Sequence, residues 1–169
     1  MLRTLLMLSL VAGSATAFAE DDCTLSEDAL RPQLDAKRLP KGAKVIAQER
    51  KDRLHTETLR FADGLEATLQ VGGCQHLGLS VSLSSRLAVT AKLTPVEAVA
   101  LMKKVLPTLP VGAQATLRPK MFLDALGALK TEPAGFPVVL ECGEFTSCEL
   151  SLDTTGKRPV LVVGYDFAL

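Results

Sequence analysis

Apolar and polar residues alternate with a period of two along residues 65–71 and 77–83. This alternation is typical of β-strands that bury one face and expose the other. Ala62-Asp63-Gly64 has the composition of a hairpin turn, so an extended segment at 54–61 is expected to pair with the first of these strands. A shorter extended stretch at 45–47 precedes it. The polar positions of the two alternating stretches are Glu66, Thr68, Gln70, Gly78, Ser80, Ser82 and Ser84.

The period changes at Thr94-Pro95-Val96-Glu97, which combines a capping threonine, a proline at the first helical position and a glutamate three residues after the cap. This motif predicts a helix that runs to about Leu106 and stops at Pro107. A second helix is predicted from about Pro119 to the region before Pro133. Its apolar side consists of Met121, Phe122, Ala125, Leu126 and Leu129.

Three further strands are predicted at 136–142, 148–153 and 159–167. Because strands and helices are segregated along the chain, the fold class is α+β. We expect one antiparallel sheet of about six strands, arranged as a meander, a helical pair and a second meander, with both helices on one face. Two separate sheets are the alternative, and residues 84–93 fit either a further strand or a connecting loop.

The N-terminus has the layout of a secretory signal peptide, with Arg3, a short apolar run and Ala17-Phe18-Ala19 as the cleavage signal. We therefore expect residues 1–19 to be removed and residues 20–169 to form a single soluble domain, periplasmic or secreted. The apolar run is too short to span a bilayer, and no transmembrane segment is expected in the mature chain.

The chain has 4 cysteines, and an even number in an exported protein predicts two disulfides with three alternative connectivities. If 136–142 and 148–153 form a hairpin with a five-residue loop, Cys142 lies opposite Cys148, Leu140 opposite Leu150 and Val138 opposite Leu152. Directly opposed cysteines can be joined with modest adjustment, so Cys142–Cys148 is the favoured bridge. By exclusion the second bridge is Cys23–Cys74.

Charge and composition remove several classes of function. The 19 basic and 19 acidic residues give a formal net charge of zero, which offers no electrostatic footprint for nucleic acid. Glu141 and Glu149 would be cross-strand neighbours in the hairpin and could suggest acid/base chemistry. However, a chain with no Trp and 1 Tyr lacks the aromatic platform for a sugar, so glycoside hydrolysis fits poorly.

Cys74 and His76 stand in the motif Val71-Gly72-Gly73-Cys74-Gln75-His76 and invite three interpretations. Zinc binding would need a second ligand pair, and a cysteine nucleophile would need Cys74 to remain unbridged. A glycine-containing turn anchored by a disulfide explains the motif more simply. The serines near His76 lack a G-x-S-x-G elbow and fall at the polar positions of an alternating strand, so the solvent face of a sheet explains them better than a hydrolase triad.

We therefore expect a non-enzymatic binding protein that uses no cofactor or metal. Its partner is expected to be a protein of the cell envelope, as for an inhibitor or an immunity protein. A small-molecule binder using the space between helices and sheet is the alternative, and a small hydrolase a more distant one. The candidate interface consists of Thr68, Gln70, Gly72, Gly73, Gln75, His76, Ser80 and Ser82.

Overall fold

The computed structural model describes residues 26–73, 76–85, 93–143 and 146–168. Within these residues the chain forms strands, two α-helices and three short 3-10 turns. The strands are β1 (Lys44–Lys51), β2 (Leu54–Arg60), β3 (Leu65–Gly72), β4 (His76–Ser85), β5 (Val138–Gly143), β6 (Thr146–Asp153) and β7 (Val160–Ala168). The helices are α1 (Pro95–Val105) and α2 (Pro119–Gly127), and the 3-10 turns are Glu27–Leu30, Ala36–Arg38 and Leu106–Thr108.

All seven strands belong to one antiparallel sheet in the order β1-β2-β3-β4-β7-β6-β5. The α+β class and the single antiparallel sheet are confirmed, and the expected count of about six strands is low by one. The difference concerns β1, an edge strand of which the sequence indicates only the stretch 45–47; its second half, from Gln48 to Lys51, is entirely polar. Such a sequence has no apolar alternation, so only its pairing with β2 makes it a strand.

The helices pack on the face of the sheet that carries the apolar residues. The capping box of α1 is formed, because Thr94 Oγ1 accepts from Glu97 N at 3.3 Å and Glu97 Oε2 accepts from Thr94 N at 2.8 Å. One continuous core joins Met102 of α1 and Phe122 of α2 to the inward side chains of the strands. The fully buried strand residues of this core include Leu59, Leu69, Val81, Leu150, Leu161 and Val163.

The β5–β6 hairpin differs from its expected register. Leu140 lies opposite Cys148, Val138 lies opposite Leu150 and Gly143 lies opposite Thr146, with an irregularity between Glu141 and Gly143. The prediction that Cys142 opposes Cys148 is therefore wrong by two residues, because this irregularity places Cys142 outside the regular ladder and shortens the loop. A shift of two residues preserves the face of every side chain, so the apolar residues still point to the core.

The predicted Cys142–Cys148 disulfide is present, with a Cα–Cα distance of 5.7 Å, and it is compatible with an oxidising, extracytoplasmic location. It is the one bridge seen among the described residues, since Cys23 and Cys74 lie outside them. The expected signal peptide, residues 1–19, and residues 86–92 also lie outside the described residues. In the part of the chain that is described, no helix is long and apolar enough to cross a membrane.

Candidate protein-binding surface

The sheet has a second face, on the side opposite the helices, which we call the open face. Strand pairing assigns its residues, because directly paired residues share a face and successive residues alternate. Its members whose side chains are described are half-buried or exposed, except Gly72, which is buried. They are Lys44, Ala47, Glu49 and Lys51 of β1, Leu54, Thr56, Thr58 and Arg60 of β2, Glu66, Thr68, Gln70 and Gly72 of β3, Gly78, Ser80, Ser82 and Ser84 of β4, Val160, Val162 and Gly164 of β7, Glu149, Ser151 and Asp153 of β6, and Val139 and Glu141 of β5.

Short polar side chains at the centre of the open face bond to one another. Thr58 Oγ1 and Thr68 Oγ1 are 3.0 Å apart across β2 and β3. Ser80 Oγ donates to Gln70 Oε1 at 3.4 Å, and Ser82 Oγ donates to the backbone oxygen of Thr68 at 3.5 Å. Because these groups hold each other in place, a partner that docks here has little side-chain motion to freeze.

Charged groups lie at the two sides of this polar centre. On one side Arg60 Nη2 is 2.7 Å from Glu66 Oε1, and both side chains are largely buried. On the other side the exposed Asp153 accepts from Thr155, and these hydrogen bonds from the Thr155 hydroxyl and backbone hold the pKa of Asp153 below its ordinary value. Asp153 is therefore an anion at any pH near neutral.

Four predicted interface residues, Thr68, Gln70, Ser80 and Ser82, lie together at the centre of the open face. Gly72 and Gly73 lie at the end of β3 instead. Gly72 is buried, and a Cβ atom there would meet the Arg53 carbonyl oxygen and stand 2.7 Å from Leu54 Cα. Glycine at position 72 thus allows β2 and β3 to approach closely.

The remaining predicted interface residues belong to the turn between β3 and β4. Gly73 has a φ of 134° and its N–H donates to the Arg53 carbonyl at 3.1 Å. Gln75, like Cys74, lies outside the described residues. The backbone of His76 begins β4 and pairs with Ala168.

The two glutamates considered for acid/base chemistry are not directly opposed as expected. Glu141 lies opposite Ser147 and Glu149 lies opposite Val139, so the two glutamates are diagonal neighbours; the expectation of direct opposition depended on the incorrect hairpin register. Ser80 and Ser82 lie on the open face, whereas the imidazole of His55 is buried with the core on the other side of the sheet. The sheet separates His55 from these hydroxyls, and the side chain of His76, the histidine considered together with these serines, lies outside the described residues.

A buried polar cluster around Glu57 was missed by sequence reasoning. Glu57 is fully buried, and its Oε2 accepts from the backbone N–H groups of Gln33 and, at 2.9 Å, Leu34. Gln48 Nε2 donates to Glu57 Oε1 at 2.5 Å. The buried Gln33 accepts in turn from the backbone N–H of Leu117 at 2.8 Å. Residues 26–43, which we call the N-terminal arm, are therefore fastened to the sheet by the Glu57 carboxylate and to the segment before α2 by the Gln33 side chain.

His55 is the neighbour of this cluster on β2. Its Nε2 lies 3.5 Å from Glu57 Oε2, and among the described residues neither ring nitrogen finds a hydrogen-bond partner. The period-two signal of β2, with positions 55, 57 and 59 on one side, could have placed His55 and Glu57 inside. No pattern in the sequence indicated that the backbone N–H groups of Gln33 and Leu34 would supply the hydrogen bonds that Glu57 needs there.

A recess of about 590 Å³ lies outside the core, between α2 and β5. Met121, Ala125 and Cys142 form its apolar part, with Arg118 and Asp124 among its charged residues. The space directly between helices and sheet, where a ligand cavity was considered, holds fully buried side chains such as Phe122 and Leu126. Among the residues the structure describes, no three His, Cys, Asp or Glu side chains are grouped so as to hold a metal ion.

Comparisons with known proteins supply no relative from which a function could be transferred. No protein-family model matches the chain, and neither a curated protein nor a solved structure does. Any inference about function therefore starts from the geometry of the open face and of the recess.

Proposed function

We propose that this chain is an exported, non-enzymatic protein-binding module, of the inhibitor or immunity class, that recognises a folded protein in the cell envelope through its open face. The observation that carries the proposal is the half-exposed hydroxyl and amide surface on β2, β3 and β4, in which Thr58, Thr68, Gln70, Ser80 and Ser82 are already hydrogen-bonded to the chain's own groups.

Such a surface suits recognition of a protein better than enclosure of a small molecule. A flat sheet offers area and fixed donors and acceptors, and specific protein interfaces typically contain about ten direct hydrogen bonds and a similar number of bridging waters. The charged pair Arg60–Glu66 and the anionic Asp153 would form the rim, where charges set orientation and association rate more than affinity.

The test is affinity capture from an envelope extract of the source organism with the oxidised chain 20–169 as bait. Ser82→Arg places a long cation at the centre of the open face, and Ala100→Arg places the same side chain at an exposed position of α1. A polypeptide held in stoichiometric amount by the unmodified bait and by Ala100→Arg, but lost with Ser82→Arg, supports the proposal. Capture that Ser82→Arg leaves unchanged contradicts the open face as the binding surface.

A small-molecule ligand in the recess between α2 and β5 is the second candidate, and the volume favours it, since ligand sites commonly occupy about 300–1,000 Å³. Mass spectrometry of the intact folded protein tests it. A bound small molecule that disappears in Ala128→Trp, which fills the recess from its exposed side, would favour the ligand.

A further inference from the structure

The open face is complementary to itself in charge, and strand register shows how. Arg60 pairs with Glu66, Glu66 with Ser84, Ser84 with Val160 and Val160 with Asp153, so these residues form one row across five strands. β4 is the middle strand of the sheet, with three strands on each side. Arg60 and Asp153 therefore lie in the same row, two strands to either side of the centre.

We propose that the open face binds the same face of a second copy of this chain, in a homodimer whose two-fold axis runs along β4. Rotation by 180° about an axis parallel to the strands turns one open face onto another, keeps each row level and exchanges left for right. This rotation places Arg60 of each copy over Asp153 of the other, so the dimer contains the pair twice. Two sheets stacked in this way have their strands nearly aligned, as in β-sandwiches.

At the axis of the neighbouring rows, small polar side chains meet their own copies. Thr58, Thr68, Ser82, Val162 and Ser151 form the next row, so Ser82 meets Ser82 of the second copy while the outer hydroxyls of Thr58 and Ser151 face each other. In the row after that, Gln70 and Gly164 lie one strand to either side of β4. The long side chain of Gln70 in one copy therefore faces Gly164, which has no side chain, in the other. A Cβ atom at Gly164 would lie 2.9 Å from Ser80 Cβ. The close pairing of β4 and β7 within one chain therefore also requires glycine at this position.

The outermost strands add a second charge pair. Lys51 of β1 pairs with Leu54, and this row continues through Gly72 to Gly78 of β4. On the other side Glu141 of β5 pairs with Ser147, which occupies the same row when the register of β6 and β7 is continued by two residues. Lys51 and Glu141 are then three strands to either side of the axis, and both are exposed.

The area is sufficient for a specific dimer. Seven strands spaced about 4.8 Å apart, each with about seven residues rising 3.3 Å per residue, give a face of about 700 Å² per copy. Two such faces bury about 1,400 Å², which lies within the size range of stable protein interfaces.

This inference rests on the proposed function in that it uses the same face, and it names a second copy as one occupant of it. A foreign partner would then compete with the second copy for the same surface.

The experiment uses two charge-reversed variants of chain 20–169, Arg60→Glu and Asp153→Lys, studied by sedimentation equilibrium alone and mixed. In a homodimer of either variant, like charges face each other twice, and we expect the dissociation constant to rise at least about tenfold. In the mixture, Glu at position 60 faces Lys at position 153 and Arg60 faces Asp153, so dimers should reappear and contain one copy of each. Within one chain, positions 60 and 153 are four strands apart, about 19 Å, so the rescue cannot arise inside a monomer.

Lys103→Glu on the exposed side of α1 is the matched control and should dimerise like the unmodified chain. Urea unfolding of each variant separates loss of pairing from loss of fold. The dimer is contradicted if the unmodified chain sediments as a monomer up to millimolar concentration, or if the mixture stays monomeric while each folded variant is monomeric. A monomer that captures a foreign polypeptide lost with Ser82→Arg would overturn the dimer and leave the proposed function standing. A charge-rescued dimer that captures nothing would support the dimer and overturn the inhibitor or immunity role.

Discussion

At the scale of single residues, Glu57 is the buried polar group that connects the segment before β1 to the sheet. A buried carboxylate is costly unless hydrogen bonds replace its water, and Glu57 receives such bonds from the backbone of Gln33 and Leu34 and from the side chain of Gln48. The first two donors lie 24 and 23 residues away in the sequence. The carboxylate thus joins the arm to the sheet where an apolar contact could not satisfy those N–H groups.

Glu57→Gln should destabilise the fold by about 3 kcal/mol, because the amide retains one acceptor oxygen and turns an N–H₂ group toward existing donors. Glu49→Gln, an exposed change on the neighbouring β1, should alter the free energy of unfolding by less than about 0.5 kcal/mol. Urea unfolding monitored by circular dichroism measures both. Equal stabilities for the two variants would contradict the role assigned to Glu57.

Substitution of Gly72 and of Gly127 by alanine should change the stability of the protein in opposite directions. A Cβ atom at Gly72 meets the backbone of Arg53 and Leu54, whereas a Cβ at Gly127, in α2, meets nothing within 4 Å. Gly72→Ala should therefore cost about 2 kcal/mol or more through overpacking. Gly127→Ala should stabilise the protein by roughly 0.5–1 kcal/mol through helix propensity. Thermal unfolding of the two variants tests the contrast, and a stabilising Gly72→Ala would refute the close approach of β2 and β3.

At the scale of elements, the start of α1 should make stability depend on pH. Hydrogen bonds from the backbone and hydroxyl of Thr94 hold the pKa of Glu97 below its ordinary value. Since the folded pKa is lowered, the contribution of Glu97 is complete above the ordinary glutamate pKa and is lost as pH falls through the lowered value. Thr94→Ala should cost about 1 kcal/mol at neutral pH and less in acid, where the carboxylate is protonated and one of the two reciprocal bonds is already weakened.

Urea unfolding at neutral and acidic pH measures this difference, with Glu97→Gln as the comparison. That variant should lose the part of the Thr94 effect that depends on pH and keep the rest, because Thr94 Oγ1 still accepts from the backbone N–H of residue 97. A Thr94→Ala cost that is the same at both pH values would show that the carboxylate takes no part in the cap.

Elements with local signals could be predicted from the sequence, and those fixed by their neighbours could not. The capping box at Thr94 and Glu97 involves four consecutive residues, so the start of α1 was readable. By contrast, the polar second half of β1 becomes a strand only through pairing with β2. The hairpin register depended on the irregularity at Cys142, which the sequence does not mark. The alternation of apolar and polar residues did indicate that Leu140 and Leu150 point to the core.

At the scale of the whole molecule, the strand order predicts a gradient of local stability. β4 is bordered by three strands on each side, while β1 and β5 are edge strands with neighbours on one side. Amides of β4 should exchange with solvent most slowly and those of β1 and β5 fastest, because edge pairs open without disturbing the rest of the sheet. Hydrogen exchange followed by NMR measures this gradient. Slower exchange in β5 than in β4 would contradict the strand order.

The candidate surface could be predicted in part at this scale. Alternation placed Thr68, Gln70, Ser80 and Ser82 on one polar face, and the structure places them together there. Asp153 and Gly164 lie beside Ser80 and Ser82 on this face because β7 pairs with β4 across the helical segment, a pairing that no local pattern in the sequence marks. Glu57 was missed for the same physical reason, since its donors come from distant parts of the chain.

The pairing of β4 with β7 extends over nine residue pairs, from His76 with Ala168 to Ser84 with Val160, and it joins the two meanders into one sheet. Each meander is a continuous piece of chain, so the domain is in effect a complex of two fragments that a single covalent segment between β4 and α1 keeps at high local concentration. A break in that segment would leave two pieces, one with β4 and the other with β7 as an unpaired edge strand. Each piece alone would tend to aggregate through this edge, and the two together would be able to reassemble. The β4–β7 pairing therefore makes the chain suited to division into two complementing fragments. If each fragment is fused to a different protein, reassembly of the domain would report an interaction between those two proteins.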